Sequence, residues 1–282
     1  MALYILVLLE QIHGQCTWTA PLLMTNTKYH QLRNSILCFI STKENTPPMF
    51  ESSTEFPVIL YEDEHLILIN KPSGLLSVAD GYDPTLPQIK SVIEPRFGRV
   101  WIVHRLDKDT SGVMLIARNE DVHRQLNEDF RLKKIEKMYH GLVAPVPTWR
   151  EKDIQLPLLT DADRKHRTRV SDHGGKKAHS VCRVIKWYPC GVVMGIQIHS
   201  GVSHQIRAHL RAFDLALIGD VLYRAGLPPQ PFPAPRMMLH ARTLGFRHPK
   251  TGEWLSLTAP YPEDFRAAYT QLRMSTAQDT RI

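Results

Sequence analysis

From Phe56 onward the chain alternates between short apolar runs and polar turns. Val58-Ile59-Leu60-Tyr61 and Leu66-Ile67-Leu68-Ile69 are predicted strands, with Glu62-Asp63-Glu64 as the turn between them. Trp101-Ile102-Val103 and Val113-Met114-Leu115-Ile116-Ala117 form a second apolar pair, separated by the charged run His104 to Gly112. Asn119 is a predicted helix cap, with Glu120 and Asp121 in the first turn and Arg131, Lys133 and Lys134 at the far end. Val122, Leu126 and Phe130 give that helix one apolar face. Further strands are predicted over 138–143, 178–187, 192–199, 238–246 and 254–257. Ser203 is the expected cap of a second helix with the stripe Ile206, Leu210 and Phe213. Successive strands joined by short turns, with a few inserted helices, predict an α+β fold on a mainly antiparallel mixed sheet flanked by helices and loops. No regular strand–helix alternation of a doubly wound fold is present.

Residues 1–55 lack this order. Leu3 to Leu9 is apolar but too short to span a bilayer. No basic residue precedes it, which argues against a signal peptide. Thr46-Pro47-Pro48-Met49 marks a boundary, and the folded unit is expected to start near Met49. The chain therefore divides into an extension of unknown role (1–55), a folded domain (56–273), which the resemblance described below implies is catalytic, and a short tail (274–282).

Charge sharpens this division. The chain carries a net +7, yet residues 1–55 hold three Lys or Arg against four Glu, so the remainder carries +8. Such a balance favours an anionic partner, most simply nucleic acid. Arg164-Lys165-His166-Arg167-Thr168-Arg169 with Lys176-Lys177 is the densest basic stretch, and Arg167 and Arg169 are candidate RNA-backbone contacts. Four cysteines without a Cys-x-x-Cys pair suit a reducing compartment and give no zinc knuckle. Fourteen histidines include no His-Glu-x-x-His, so no metal site is expected.

The charged run His104-Arg105-Leu106-Asp107-Lys108-Asp109-Thr110-Ser111-Gly112 is the main chemical signal. A loop between two strands is a usual seat for an active-site carboxylate. Asp107 and Asp109 are both candidates for acid–base work, and residue types alone do not choose between them. A surface turn in which Arg105 pairs with an Asp would use the same residues. Other segments add Ile69-Asn70-Lys71-Pro72-Ser73-Gly74-Leu75, Lys137-Met138-Tyr139, Ser203-His204-Gln205-Ile206-Arg207, Ile218 to Tyr223, Leu239-His240-Ala241 and His248 to Glu253.

Taken in order, these segments resemble the RluA-type RNA pseudouridine synthases over roughly residues 56 to 272. The resemblance implies that Asp107 is the catalytic carboxylate and that Asp109 occupies a tolerant position. It implies that Arg105 lies beside a flipped nucleotide, that Tyr139 is the active-site tyrosine, and that Arg207 pairs with Asp107. His104, Lys71, His204 and Gln205 lie in the matching motifs and are further candidate substrate contacts; the Lys71 segment is otherwise expected to be architectural. One departure stands out. The family usually has Gly-Arg-Thr before the His, whereas this chain has Gly201-Val202-Ser203, which removes one cation and keeps a hydroxyl.

The implied reaction isomerises uridine to pseudouridine in ribosomal or transfer RNA. It needs no metal, nucleotide or redox cofactor. A cytoplasmic, non-membrane monomer is expected. Two rival readings use the same residues: a non-catalytic RNA-binding protein of this fold, and a hydrolase using Asp107 and Asp109 as a carboxylate pair. Residues 1–55 show no match to the small RNA-binding domain that some relatives carry there.

Overall fold

The computed structural model describes residues 56–275, apart from positions 82 and 84. The expectations for residues 1–55, including a start near Met49, lie outside the described residues. Thirteen strands and four helices follow in the order β1 (Val58–Glu62), β2 (Leu66–Lys71), α1 (Ile89–Phe97), β3 (Trp101–Ile102), β4 (Ser111–Ala117), α2 (Glu120–Arg131), β5 (Glu136–Ala144), β6 (Glu151–Ile154), β7 (Leu158–Leu159), β8 (Arg169–Val170), β9 (Ser180–Tyr188), β10 (Gly191–Ile198), α3 (Gln205–Arg211), β11 (Ala216–Leu217), β12 (Leu239–Arg247), β13 (Trp254–Thr258) and α4 (Glu263–Met274) among the described residues.

Eleven strands form one sheet whose main order is β1-β2-β4-β12-β5-β10-β9-β6 among the described residues. Its pairs are antiparallel except β4 with β12, which run parallel. This is the expected α+β architecture. β2 and β4 are the continuous apolar runs of the sequence, and Leu66 to Ile69 and the whole of β4 are buried, as strands covered on both faces must be. Side-chain alternation sorts the central strands. Tyr139 and Val143 of β5 join Val192, Met194 and Ile196 of β10 in the main core. Leu142 and Ala144, with Val193, face the other way and are covered by Phe265, Ala268 and Leu272 of α4. Residues 254–257 fall within β13, the outer neighbour of β12.

α2 begins as predicted, with the Asn119 side chain accepting from the Val122 N–H at 3.0 Å. α3 does not. Its first turn is preceded by His204 in the left-handed region (φ 54°), and Ser203 makes no cap. No side chain caps α3; the Gln205 Oε1 instead braces the loop before it, accepting from the Val202 N–H and the Ser200 hydroxyl. Phe213 lies beyond the end of α3, so the apolar stripe is shorter than expected. α1 and α4 had no prediction. Pro95 lies inside α1, which discourages a helical reading.

One transverse row of the sheet links the strand ends that surround the Asp107 segment. Lys71 is opposite Gly112, Gly112 is opposite Ala241, Ala241 is opposite Tyr139, and Tyr139 is opposite Ile196. Gly112 has φ +120°, and a Cβ there would lie 2.2 Å from the Ala241 carbonyl oxygen. A side chain would force β4 and β12 apart, and its backbone conformation would also be strained. Gly112→Ala is expected to lower stability by at least about 2 kcal/mol, read as a shift in the urea unfolding midpoint at constant slope.

Candidate active site

The site is assembled on the segment that links β3 to β4, residues 103–110. Its backbone is held from two directions. Ser77 Oγ donates to the Leu106 carbonyl at 2.7 Å and accepts from the Leu106 N–H at 2.9 Å. The Lys71 ammonium donates to the carbonyls of Lys108 (3.1 Å), Leu75 (2.8 Å) and Pro72 (2.9 Å). The Gly74 N–H and Ser73 hydroxyl reach the carbonyls of Lys108 and Asp109. From the opposite side Arg236, buried beneath the loop, donates to the Asp109 carbonyl at 3.0 Å and to Ser111 Oγ at 3.1 Å. Arg236 is itself paired with Asp264 of α4.

These contacts correct one expectation. Lys71 is fully buried and its charge is spent on carbonyl oxygens, so it is part of the scaffold and no substrate contact. Burial, with a further push from Arg236, brings its pKa down to about 7.

The held loop presents Asp107 to a cleft of about 670 Å³ that is also lined by Arg105, Tyr139, Lys177, His204 and Arg207. Asp109 does not line it, so the two carboxylates left open by residue type are separated by geometry. A hydrolytic pair would need both in the cleft.

Around Asp107, Arg207 reaches its Oδ2 with Nη1 at 3.8 Å, and His204 Nε2 lies 3.8 Å from the same oxygen. The expected Arg207–Asp107 pair is therefore present but is the looser of two. The guanidinium makes a bidentate contact with Asp220, at 2.7 and 2.9 Å, and lies over the Tyr223 ring at 4.7 Å. Burial works against the Arg207 charge, while the hydrogen bonds and charge of Asp220 outweigh it and raise its pKa. Tyr139 is buried in the cleft wall. Burial and then the Asp107 charge push its phenol well up, so it stands as a neutral hydroxyl.

The remaining sequence candidates fall into distinct places. Arg105 is exposed and makes no hydrogen bond or ion pair among the described residues. His104 is a wall residue. Its Nε2 accepts from the Leu115 N–H at 2.9 Å, its ring stacks on Phe130, and burial brings its pKa down to about 3. Gln205 has both side-chain atoms engaged, donating to the His179 carbonyl and Ser180 Oγ and accepting from Ser200 and Val202. It shapes the loop before α3 and has no free group for a base. Arg167 and Arg169 share Asp163, at 2.7 and 2.8 Å, and line a separate depression with Arg211. The cations that do line the Asp107 cleft include Lys133, Lys137, Lys176 and Lys177. Val202 packs among Val170, Leu222 and Tyr223.

Sequence reasoning missed Arg236, Asp220, Tyr223 and Asp264 as working parts. Asp220 and Tyr223 lie within the Ile218 to Tyr223 segment, which was the available signal. Arg236 lies only three residues before the Leu239-His240-Ala241 segment. Among the described residues no group of three or more His, Cys, Asp or Glu could hold a metal, and no helix is long and apolar enough to cross a membrane.

A carboxylate on a clamped loop, facing a cleft lined by lysines and arginines, defines an enzyme that acts on a polyanion. Comparison with known proteins gives the family. Residues 65–212 match the family described as RNA pseudouridylate synthase. The dual-specificity RNA pseudouridine synthase RluA of Pasteurella multocida is 36% identical over 204 residues, spanning 72% of this chain and 92% of the relative. The Escherichia coli K12 protein of the same name is 34% identical over 209 residues, spanning 74% and 94%. The ribosomal large subunit pseudouridine synthase C of Buchnera aphidicola is 34% identical, spanning 76% and 70%. The solved structure of human RNA Pseudouridylate Synthase Domain Containing 4 shares the fold, with a TM-score of 0.64 at 24% identity, over 76% of this chain and 92% of that one. The chain belongs to the RNA pseudouridylate synthase family, and it is an isomerase that makes pseudouridine in RNA.

Two outcomes are expected of the site. Lys71→Met removes the donor of buried carbonyls and is expected to cost about 2–3 kcal/mol in urea unfolding, with a fall in turnover of the folded enzyme. Lys137 is brought down to about 8 by burial and by Lys133, so it is charged below that pH and neutral above it. RNA affinity is expected to weaken from pH 7 to pH 9 with the salt slope falling by roughly one, a change that filter-binding titrations of Lys137→Met lack.

Proposed function

We propose that this chain isomerises a uridine held in a structured ribosomal or transfer RNA, with Asp107 as the nucleophile. The observation that carries this reading is the contrast within one loop. The carbonyls of residues 106 to 109 are all held, while the Asp107 carboxylate alone of the two faces the cationic cleft. The RNA target class is supported by the names of the relatives, which specify dual-specificity RNA and the large ribosomal subunit.

The reaction changes no atoms overall. The bond from the ribose to uracil nitrogen breaks, the uracil turns, a bond to its ring carbon 5 forms, and the proton on that carbon leaves. A stacked uridine must first leave its helix, at a cost of a few kcal/mol. Lys133, Lys137, Lys176 and Lys177 offset this by holding the backbone. Arg105, exposed and unpaired, fills the space that the base vacates or grips its phosphate. Asp107 then bonds to the nucleoside as the glycosidic bond breaks, that bond is released when carbon 5 bonds to the ribose, and nitrogen 1 takes up one proton as carbon 5 loses one. Tyr139, as a neutral phenol in the cleft wall, packs against the detached uracil and offers it a hydrogen bond. Residues 56–273 carry this activity, residues 1–55 are an extension, and the enzyme works as a monomer in the cytoplasm.

The test is direct. Purified protein is incubated with ribosomal and transfer RNA lacking pseudouridine, and new sites are mapped. Asp107→Asn is expected to lower the rate by at least about 1,000-fold while RNA binding stays within roughly twofold. Activity that survives this substitution removes Asp107 from the chemistry.

A further inference from the structure

Two basic side chains meet at one oxygen of the Asp107 carboxylate. Arg207 Nη1 and His204 Nε2 each lie 3.8 Å from Oδ2. Both are built around the same residue, Tyr223. Its ring lies under the Arg207 guanidinium at 4.7 Å and meets the His204 ring edge-on, at 88°. Its hydroxyl lies 3.1 Å from His204 Nδ1 and accepts the Thr168 N–H at 2.7 Å.

That hydroxyl sets the protonation of the imidazole. Tyr223 is 4% exposed, so its single proton needs an acceptor inside the protein. The Thr168 N–H already occupies one lone pair of the oxygen, and Thr168 Oγ1 donates elsewhere, to the Ser203 carbonyl. His204 Nδ1, at 3.1 Å, is the acceptor assigned to it here, in preference to Thr168 Oγ1. With Nδ1 accepting, the ring proton of neutral His204 sits on Nε2, 3.8 Å from Asp107 Oδ2. Burial lowers the His204 pKa, in keeping with a neutral ring. The backbone agrees. His204 holds a left-handed conformation (φ 54°, ψ 20°), which is uncommon for a residue with a side chain and marks a position constrained by something beyond the helix.

We propose that Tyr223 and His204 form a positioning pair, in which a fixed Nε2–H, together with Arg207, holds Oδ2 of Asp107 so that Oδ1 is the oxygen that attacks. This rests on Asp107 being the nucleophile. The 3.8 Å separations are too long for hydrogen bonds in the free enzyme, and they shorten when the nucleotide enters and water leaves. His204 acts through Asp107 and needs no contact with the base.

The experiment compares two amides at one position. Glutamine places its side-chain N–H near the imidazole Nε2 position, whereas asparagine places it near Nδ1 and tolerates the left-handed backbone well. His204→Gln is expected to keep single-turnover rates within about threefold, and His204→Asn to lose roughly 10-fold or more, with RNA Kd unchanged in both. Tyr223→Phe keeps the ring beneath Arg207 and removes only the hydroxyl. It is expected to lose rate in the same range and to release the tautomer, read in the ring ¹⁵N shifts of His204, which in the unaltered protein show a protonated Nε2 and a bare Nδ1. Equal rates for the two amides, losses confined to Kd, or a protonated Nδ1 would overturn the proposal. Asp107→Asn is run alongside. If it stays active, the nucleophile reading fails whatever the His204 variants do. If it is inactive and the two amides do not differ, only the positioning role fails.

Discussion

The ammonium of Lys71, sealed from water and surrounded by peptide carbonyls, is the contact on which the Asp107 loop depends. Removing a charge from water costs several kcal/mol, and three carbonyl acceptors with the charges of Asp109 and Asp107 offset this only in part, which leaves the ammonium's pKa lowered to about 7. Two of those carbonyls belong to its own segment and one to the Asp107 loop, so the ammonium ties the end of β2 to the start of β4. Arg236 does the same from α4's side, through Asp264 and the Asp109 carbonyl. Neither cation touches the cleft. Their work is to leave the loop one conformation, so that Asp107 is aimed without being bonded tightly to anything itself.

The sheet carries that placement to the rest of the site. Lys71, Gly112, Ala241, Tyr139 and Ile196 lie on one row across five strands. Neighbouring strands are about 4.8 Å apart, so the distance from the clamp to the tyrosine is set by the sheet spacing. The parallel join of β4 to β12 is the step in that row with the least freedom, because Gly112 brings its backbone against Ala241. An antiparallel sheet interrupted by one parallel pair thus does a definite job. It brings the loop after β3 and the middle of β5 to the same edge of the cleft although more than twenty residues separate them in the chain.

How much of this was legible in the sequence depended on range. Strands with continuous apolar runs, such as β2 and β4, and the helix capped by Asn119 followed from local patterns. Asp107 and Arg207 were marked by their segments, and both lie in the cleft. Lys71 was mistaken for a substrate contact because residue type cannot reveal whether an ammonium points outward or is buried under a loop. Ser203 was mistaken for a cap because nothing local announces that His204 takes a left-handed conformation at the N-cap position and leaves α3 without a side-chain cap. Arg167 and Arg169 were read as RNA-backbone contacts from their basic run, which does not record that a single acidic neighbour, Asp163, pairs with both. Arg236 and Tyr223 act through partners 127 and 55 residues away, at Asp109 and Thr168, a separation that no periodicity records.

The arrangement of Arg207 bears on how a carboxylate can be both held and reactive. A guanidinium bonded bidentately to Asp107, the proposed nucleophile, would occupy the lone pairs needed for attack. Here that mode of bonding is given to Asp220, whose side chain is fully buried and takes no part in the cleft. Arg207 is thereby fixed with one nitrogen left to face Asp107 at 3.8 Å, close enough to oppose its negative charge and too far to engage it as a hydrogen bond. Asp220 also accepts from the N–H groups of Leu222 and Tyr223, so the same carboxylate that anchors the arginine shapes the turn carrying the tyrosine beneath it. A second acid, remote from the reaction, is therefore what allows the first to remain available. Replacing it by a neutral residue would free Arg207 to bond both oxygens of Asp107 and so tie up the one left open for attack.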